Sequence, residues 1–292
     1  MSLRKGMLIT LMLVMLVGLV GGCGGGGQAG GGGSNSVTIG YITWDEDVAV
    51  SNLAKVLLED DLGYTVALKQ LEVGPIFQGV ADGDLDAFLD VWLPNTHKSY
   101  WDKYKDQVVD LGQWYEGTAS LGLGVPDYVD AQSIEDLNKD RDEFGGEIIG
   151  IEPGSGIMKI TEENAIPGYG LDYELVKSST PAMLSQVDQA IQNEKPIVFT
   201  AWKPHWMFTA YDIRYLDDPK KEMGSAEQLS AIARKGLDTD APKAYQLLDN
   251  VDLNEEQLGE LELAIKDAGD PEEGVRNWLK DNRDVVDSWI PS

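Results

Sequence analysis

Short apolar runs alternate with amphipathic helical stretches along most of this chain, and that alternation limits the folds open to it. The run VTIGYITW, beginning at Val37, has the length of a buried strand, and apolar residues spaced by three and four predict a helix over 48–59. The strand-like runs TVALKQLEV and AFLDVW follow, with a short helix predicted over 75–81 between them. This order predicts an α/β fold built on a parallel, doubly wound sheet.

The middle of the chain repeats this plan after a helix-capping pattern at Ser133 and Asp136. The runs EIIGIE, YELVKSS and PIVFTAW read as strands, and helices are predicted after PGSGIM and over 181–193. A chain of this length exceeds the usual size of one hydrophobic core. We therefore expect two lobes, each a doubly wound sheet with flanking helices.

Two extended segments that contain or end in proline are candidates for the crossovers between the lobes, at 119–126 and 212–219. The part of the chain from Ser225 onward is expected to be mostly helical and to support the first lobe. Lobe 1 is therefore expected to comprise 37–125 and 215–292, and lobe 2 to comprise 126–214.

The beginning of the chain has the pattern of an export signal over residues 1–22. Arg4 and Lys5 precede an apolar stretch, and small residues lead to Cys23. The letters VGGC resemble a bacterial lipobox, whose cysteine is lipidated, and 23–36 is a glycine-rich tether. We expect a domain that is extracytoplasmic and lipid-anchored to the cell membrane; an ordinary secretory signal and an uncleaved anchor stay open as alternatives.

Charge and composition exclude several function classes. The formal net charge of −27 argues against nucleic acid as a partner and suggests a protein kept soluble in concentrated salt. The chain has two histidines and one cysteine, and it lacks the HExxH, GxSxG and P-loop patterns. We expect no enzyme activity, cofactor or metal site, although a paired-carboxylate glycosidase is not excluded by composition. Acidic stretches such as DEDV read as solvated helix starts.

Three of the predicted strands end in tryptophan, at Trp44, Trp92 and Trp202. Ligands of open α/β sheets bind just past the carboxyl ends of the strands, so all three indoles are expected at one cleft. An indole face attracts a cation through its quadrupole, and a quaternary ammonium, which has no hydrogen to donate, suits such a cage. Trp206 is a weaker candidate that either lines the pocket or packs behind Trp202.

An anion site is the second element of the predicted cleft. The letters GSGIM at 154–158 place glycines before a helix start, where free backbone N–H groups can face an anion. His97 lies five residues past Trp92 and could donate a hydrogen bond to a carboxylate. A simple turn and a structural histidine are the alternatives. A cation cage together with an anion site describes a zwitterionic ligand.

The segments WDED, EVGPIF, WLPNTHKSYW, PGSGIM and WKPHWMF together resemble the glycine betaine-binding proteins of osmoprotectant ABC importers. The resemblance implies a two-lobed fold of the type II periplasmic-binding-protein kind, which closes on its ligand. By motif, it implies that Trp44, Trp92 and Trp202 surround the trimethylammonium group. It also implies that His97 and the backbone N–H groups of Gly156 and Ile157 hold the carboxylate.

The same resemblance implies that the protein delivers glycine betaine to the membrane permease of an ABC importer, and we expect a monomer. Proline betaine, carnitine, choline and sulfonium analogues stay open as alternative ligands. Choline lacks a carboxylate, so it would leave the predicted anion site unpaired.

Overall fold

The computed structural model of the chain describes residues 35–292. The first part contains β1 (Ser36–Tyr41), α1 (Asp45–Asp60), β2 (Thr65–Gln70), α2 (Val73–Asp82), β3 (Ala87–Leu93), α3 (Lys98–Tyr104) and β4 (Val108–Gln113). The middle contains β5 (Ser120–Pro126), β6 (Glu147–Ile149), α4 (Gly156–Ile160), α5 (Ile166–Tyr169), β7 (Glu174–Val176), α6 (Thr180–Gln192), β8 (Phe199–Lys203), α7 (Met207–Ala210) and β9 (Ile213–Tyr215). The last part contains β10 (Gln228–Arg234), α8 (Leu237–Asp240), α9 (Pro242–Asn250), α10 (Glu255–Ala268), α11 (Pro271–Trp278) and α12 (Arg283–Asp287).

The first sheet has five strands in the order β2-β1-β3-β10-β4. β1 pairs in parallel with β2 and β3, as the alternating pattern predicts, whereas β10 runs antiparallel to both β3 and β4. α1 is buried along most of its length and packs against α10 and α11, so the C-terminal helices support this sheet as expected.

The second sheet also has five strands, in the order β7-β6-β8-β5-β9. β6 pairs in parallel with β7 and β8, and β5 runs antiparallel to β8 and β9. A π-helical segment, Thr161–Ala165, joins α4 to α5 and makes one helical run from Gly156 to Tyr169. The capping pattern at Ser133 is confirmed as a capping box that begins a single 3-10 turn.

Both sheets are mixed, whereas the alternating pattern predicted a parallel, doubly wound sheet. The missed strand β10 lies in the segment predicted to be mostly helical, yet five consecutive residues of it are buried between β3 and β4. Its letters QLSAIAR contain a single β-branched residue and no aromatic residue, and tertiary pairing decides its structure instead. Each sheet thus contains one strand that runs antiparallel to both of its neighbours, β10 in the first sheet and β5 in the second.

The segments 119–126 and 212–219, predicted as crossovers, contribute β5 and β9 to the second sheet. Just before β5, Ala119 forms an isolated antiparallel bridge with Glu227, which precedes β10, so the two chain passages between the sheets run side by side. The lobe boundaries 37–125 and 215–292 against 126–214 stay a prediction. The pairing of β5 favours a first crossover that precedes residue 120.

Candidate functional site

The three predicted tryptophans line one cavity. Trp44 is the N-cap residue of α1 and follows β1, Trp92 is the next-to-last residue of β3, and Trp202 lies in β8 of the second sheet. All three side chains are buried, at 5%, 2% and 3% exposure. The structure therefore brings together indoles from both sheets, close to the strand ends at which they were predicted. The other lining residues are Glu46, Thr96, Leu121, Ile151, Ser155, Gly156 and Ile157.

The GSGIM loop forms another wall of this cavity. Ser155 is the N-cap residue of α4, and Gly156 and Ile157 open the helix. A β-carbon on Gly156 would lie 2.2 Å from Cγ2 of Thr96, so only glycine lets the two loops approach this closely. The buried Ser155 hydroxyl has no hydrogen-bond partner among residues 35–292. The wall thus holds a free hydroxyl beside the first backbone N–H groups of a helix.

His97 is fully buried, and it contacts the cage through Trp44 rather than lining the cavity itself. The two rings are stacked, with centroids 5.7 Å apart and planes inclined by 18°. Nδ1 of His97 accepts the backbone N–H of Trp92 at 3.0 Å, so the proton of the neutral ring lies on Nε2. Burial lowers the pKa of His97 to about 3, and within the described chain Nε2 has no partner. His97 is therefore an uncharged donor with a hydrogen bond to offer.

Two of the three cage indoles donate their N–H groups to buried carboxylates. Nε1 of Trp92 lies 2.9 Å from Oδ1 of Asp90, and Nε1 of Trp202 lies 2.8 Å from Oε2 of Glu46. The second bond joins the first turn of α1 to β8 of the other sheet. Nε1 of Trp44 has no acceptor among the described residues.

Trp206 does not line the cavity, which decides between the two positions predicted for it. Its ring lies 5.3 Å from that of His205, which in turn packs edge-on against Trp202 at 4.7 Å. Nε1 of Trp206 donates to Oδ1 of Asp45 at 2.6 Å, and Nε2 of His205 lies 3.0 Å from the other oxygen. Trp206 therefore belongs to the layer behind Trp202.

The interpretation of the DEDV stretch as a solvated helix start is wrong, because Glu46 and Asp47 are buried at 1% and 0% exposure. Burial raises the pKa of Glu46 well above its ordinary value, and the charges of Asp45 and Asp47 raise it further, against the lowering effect of the Trp202 hydrogen bond. Burial also raises the pKa of Asp90, with added repulsion from Glu46.

A further acid, Glu262 of α10, completes this buried group. Burial raises its pKa well above the usual range, and the negative charge of Glu46 adds to the shift. One signal of the group was present in the sequence, since Asp90 interrupts the apolar run AFLDVW. A charged residue inside a fully buried strand requires a specific partner.

The family model described as the substrate binding domain of ABC-type glycine betaine transport systems matches residues 35–281. The chain belongs to this family. Its family is one of binding domains in transport systems rather than of enzymes. No group of three or more His, Cys, Asp or Glu residues within 35–292 could hold a metal ion.

Similar proteins agree with the family. The glycine betaine/carnitine transport binding protein GbuC of Listeria monocytogenes is 48% identical over 145 residues, which are 49% of this chain and 48% of that protein. The chain thus matches about half the length of this curated relative. Lactococcal OpuAC, in its closed conformation with glycine betaine, is 39% identical with a TM-score of 0.81, over 88% of this chain and 99% of that one. An ABC-transporter choline-binding protein in complex with choline is 27% identical with a TM-score of 0.78, over 87% and 91%.

These structures confirm the type II periplasmic-binding-protein fold for the two mixed sheets and their flanking helices. Residues 1–22 and Cys23 lie outside the described part of the chain. No helix within residues 35–292 is long and apolar enough to cross a membrane.

We expect the buried acids to make the stability of the protein depend on pH. Burial raises the pKa of Asp47 to about 7, although its carboxylate accepts hydrogen bonds from the backbone of Ile42 and the hydroxyl of Ser51. Between about pH 4, the ordinary pKa of aspartate, and about pH 7, the folded state therefore binds a proton that the unfolded state has lost. We expect the free energy of unfolding, measured with urea, to be lower at pH 8 than at pH 5.

Asp47→Asn removes this titration and should reduce the loss of stability between pH 5 and pH 8. Asp130→Asn is the control, because Asp130 is exposed and its substitution removes a negative charge without changing a buried group. Identical pH profiles for wild type and Asp47→Asn would contradict the assignment.

Proposed function

We propose that this protein is an extracytoplasmic solute-binding protein that captures glycine betaine and delivers it to an ABC permease for osmoprotection. The observation that carries the proposal is the convergence of Trp44, Trp92 and Trp202, from two different sheets, on one small cavity. Family membership and the glycine betaine complex of lactococcal OpuAC support the choice of ligand.

The trimethylammonium group would lie between the three indole faces. Its methyl groups carry the positive charge and cannot donate conventional hydrogen bonds, so ring quadrupoles and dispersion are the attractive forces available to it. Each indole contributes on the order of 0.5–2 kcal/mol in such a contact, and more when water is excluded. The burial of all three rings meets that condition.

The carboxylate would lie against the opposite wall. The backbone N–H groups of Gly156 and Ile157 are the free donors of a helix start. His97 has an unpartnered Nε2–H as a neutral donor, and its ring would have to come within reach of the carboxylate on binding, because it is stacked on Trp44 outside the cavity lining. The unpartnered Ser155 hydroxyl supplies one more donor at the same wall. These groups would replace the water that a carboxylate loses on entering the cavity.

Ligand binding and lobe closure would be linked in this arrangement. With 37–125 and 215–292 as one lobe and 126–214 as the other, Trp44, Trp92 and His97 belong to lobe 1, and the remaining ligand groups belong to lobe 2. A ligand that contacts both sets favours the closed state by its differential contacts. The permease would then recognise the closed form.

The protein would act as a monomer held at the outer face of the cell membrane. The lipobox-like VGGC at Cys23 and the glycine-rich composition of 23–36 support a lipid anchor joined to the domain by a tether. A bound lipid would keep the domain close to its permease while leaving it free to capture solute.

A binding protein for a related cation is the second candidate. A choline complex occurs among the similar structures, and the name of the Listeria relative includes carnitine. Carnitine and proline betaine share the carboxylate and the quaternary nitrogen, a sulfonium analogue carries its positive charge on sulfur, and choline lacks the carboxylate.

Affinities for these ligands test the proposal directly. We expect glycine betaine to bind and choline to bind at least tenfold more weakly, because choline leaves the donors of Gly156, Ile157 and His97 unpaired. The dissociation constants follow from tryptophan fluorescence titrations of the purified domain with each ligand. Equal affinities would argue against the carboxylate wall, and absence of glycine betaine binding would reject the function itself.

Trp92→Ala should weaken glycine betaine binding by more than about 1 kcal/mol, because a buried aromatic anchor is lost from the cage. Isothermal titration calorimetry measures the change without relying on tryptophan emission. Trp101→Ala is the control, since Trp101 lies on α3 and outside the cavity. Unchanged affinity in a folded Trp92→Ala protein would remove Trp92 from the cage.

Cys23→Ala tests the anchor. The wild-type chain expressed in a bacterium should fractionate with membranes and be released by detergent, whereas the variant should appear in the soluble fraction. Ser34→Ala in the tether is the control and should stay with the membranes. Membrane retention of the cysteine variant would show that another feature holds the protein there.

A further inference from the structure

Two of the cage indoles donate their N–H groups to carboxylates, although packing of the rings does not require a charged acceptor. Trp92 and Trp202 each donate the indole N–H to a carboxylate, at 2.9 Å and 2.8 Å. Asp90 and Glu46 are the acceptors, and they are buried at 0% and 1% exposure. They come from different elements, β3 and the first turn of α1. The same kind of hydrogen bond, from an indole N–H to a buried carboxylate, therefore occurs twice. One bond lies within β3, and the other joins α1 to β8 of the second sheet.

A neutral acceptor would satisfy an indole N–H at a lower cost. A buried amide or hydroxyl oxygen accepts the same hydrogen bond, whereas a buried carboxylate loses far more hydration. Oδ2 of Asp90 has no partner within the described residues, so this carboxylate is not held by a full set of hydrogen bonds. The use of an acid at both positions calls for a reason beyond the orientation of the rings.

The charge of the ligand supplies that reason. Of the described residues that line the cavity, Glu46 alone is ionisable, and no lysine or arginine is among them. A carboxylate that accepts an indole N–H increases the electron density of the ring, and it adds its own negative charge to the field behind the ring. Both effects require the ionised acids, whose pKa values burial raises; a cation bound between the indoles lowers those pKa values again and so favours the ionised form. The ionised acids strengthen the attraction of a cation to the indole face, and a dry, low-dielectric site screens them only weakly.

We propose that Asp90 and Glu46 are the counter-charges of the cage, acting through the indoles of Trp92 and Trp202 to make the site select a positively charged trimethyl group over an uncharged one of the same shape. This inference rests on the proposed function. It assigns to Asp90 and Glu46 a role in specificity, distinct from holding the rings in place.

The carbon isostere of glycine betaine separates charge from shape. In 3,3-dimethylbutanoate a carbon atom replaces the quaternary nitrogen, so the trimethyl group and the carboxylate stay while the positive charge is absent. Wild-type protein should bind glycine betaine at least tenfold more tightly than this isostere. Comparable affinities for the two ligands in the wild type would overturn the proposal without any variant.

Asp90→Asn and Glu46→Gln then remove one negative charge each and keep an oxygen that accepts the indole N–H. We expect the ratio of the two dissociation constants, isostere over glycine betaine, to fall at least fivefold in each variant because glycine betaine binding weakens while isostere binding does not. A merely structural role would weaken both ligands in parallel and leave the ratio unchanged. Calorimetric titrations measure both constants.

Glu262→Gln is the matched control. Glu262 is a buried acid of the same group, but it accepts no indole N–H from the cage. Its substitution should change the ratio of the two dissociation constants by less than twofold. An effect as large as that of Glu46→Gln would overturn the proposal that the acids act through the indoles.

Trp202→Phe adds a second measurement, because it keeps an aromatic face and removes the N–H. On that background Glu46→Gln should affect the ratio less than in the wild type, and an undiminished effect would also count against the proposal.

Failure of this inference can be told apart from failure of the proposed function. If wild-type protein does not bind glycine betaine, the function is wrong. If it binds glycine betaine and the ratio stays constant across the acid variants, the function stands and the counter-charge role is wrong.

Discussion

The hydrogen bond between a cage indole and a buried carboxylate is the interaction around which the site is organised. An indole that presents its face to a cavity must place its N–H in the protein, where an acceptor is needed. Asp90 meets this requirement for Trp92 from within the same strand, and Glu46 meets it for Trp202 from the opposite sheet. The second bond fixes the ring and at the same time ties α1 to β8 across the cavity.

The other residues of the site lie at the ends of strands and at the starts of helices. Trp44 lies between β1 and α1, as the N-cap residue of the helix. His97 follows β3, and its ring stacks on Trp44 and accepts a hydrogen bond from the backbone N–H of Trp92. Across the cavity, the lack of a side chain at Gly156 allows the GSGIM loop to reach Thr96. The GSGIM loop therefore forms a polar wall of the same cavity that the three indoles line.

The sequence was sufficient for the parts of the site that depend on local pattern. Trp44, Trp92 and Trp202 could be placed together because each follows an apolar run, and the ends of strands in one α/β fold converge. Burial of Glu46 and Asp47 could not be predicted, since the same letters begin many exposed helices and the contacts around them, such as the hydrogen bond from Trp202 to Glu46, come from residues far away in sequence. The strand β10 was missed for a related reason, because its partners β3 and β4 lie more than a hundred residues away in sequence.

The buried acids connect stability to ligand charge. Four carboxylates, those of Glu46, Asp47, Asp90 and Glu262, are held away from water, and burial and mutual repulsion raise the pKa values of Glu46 and Asp90. Such a group destabilises the empty domain once its members ionise. A cation between the indoles offsets that repulsion, so binding of the ligand stabilises the domain against the repulsion among its buried carboxylates. An uncharged molecule of equal size would fill the same space and leave the repulsion in place, and this difference makes charge, as well as shape, a basis for selection.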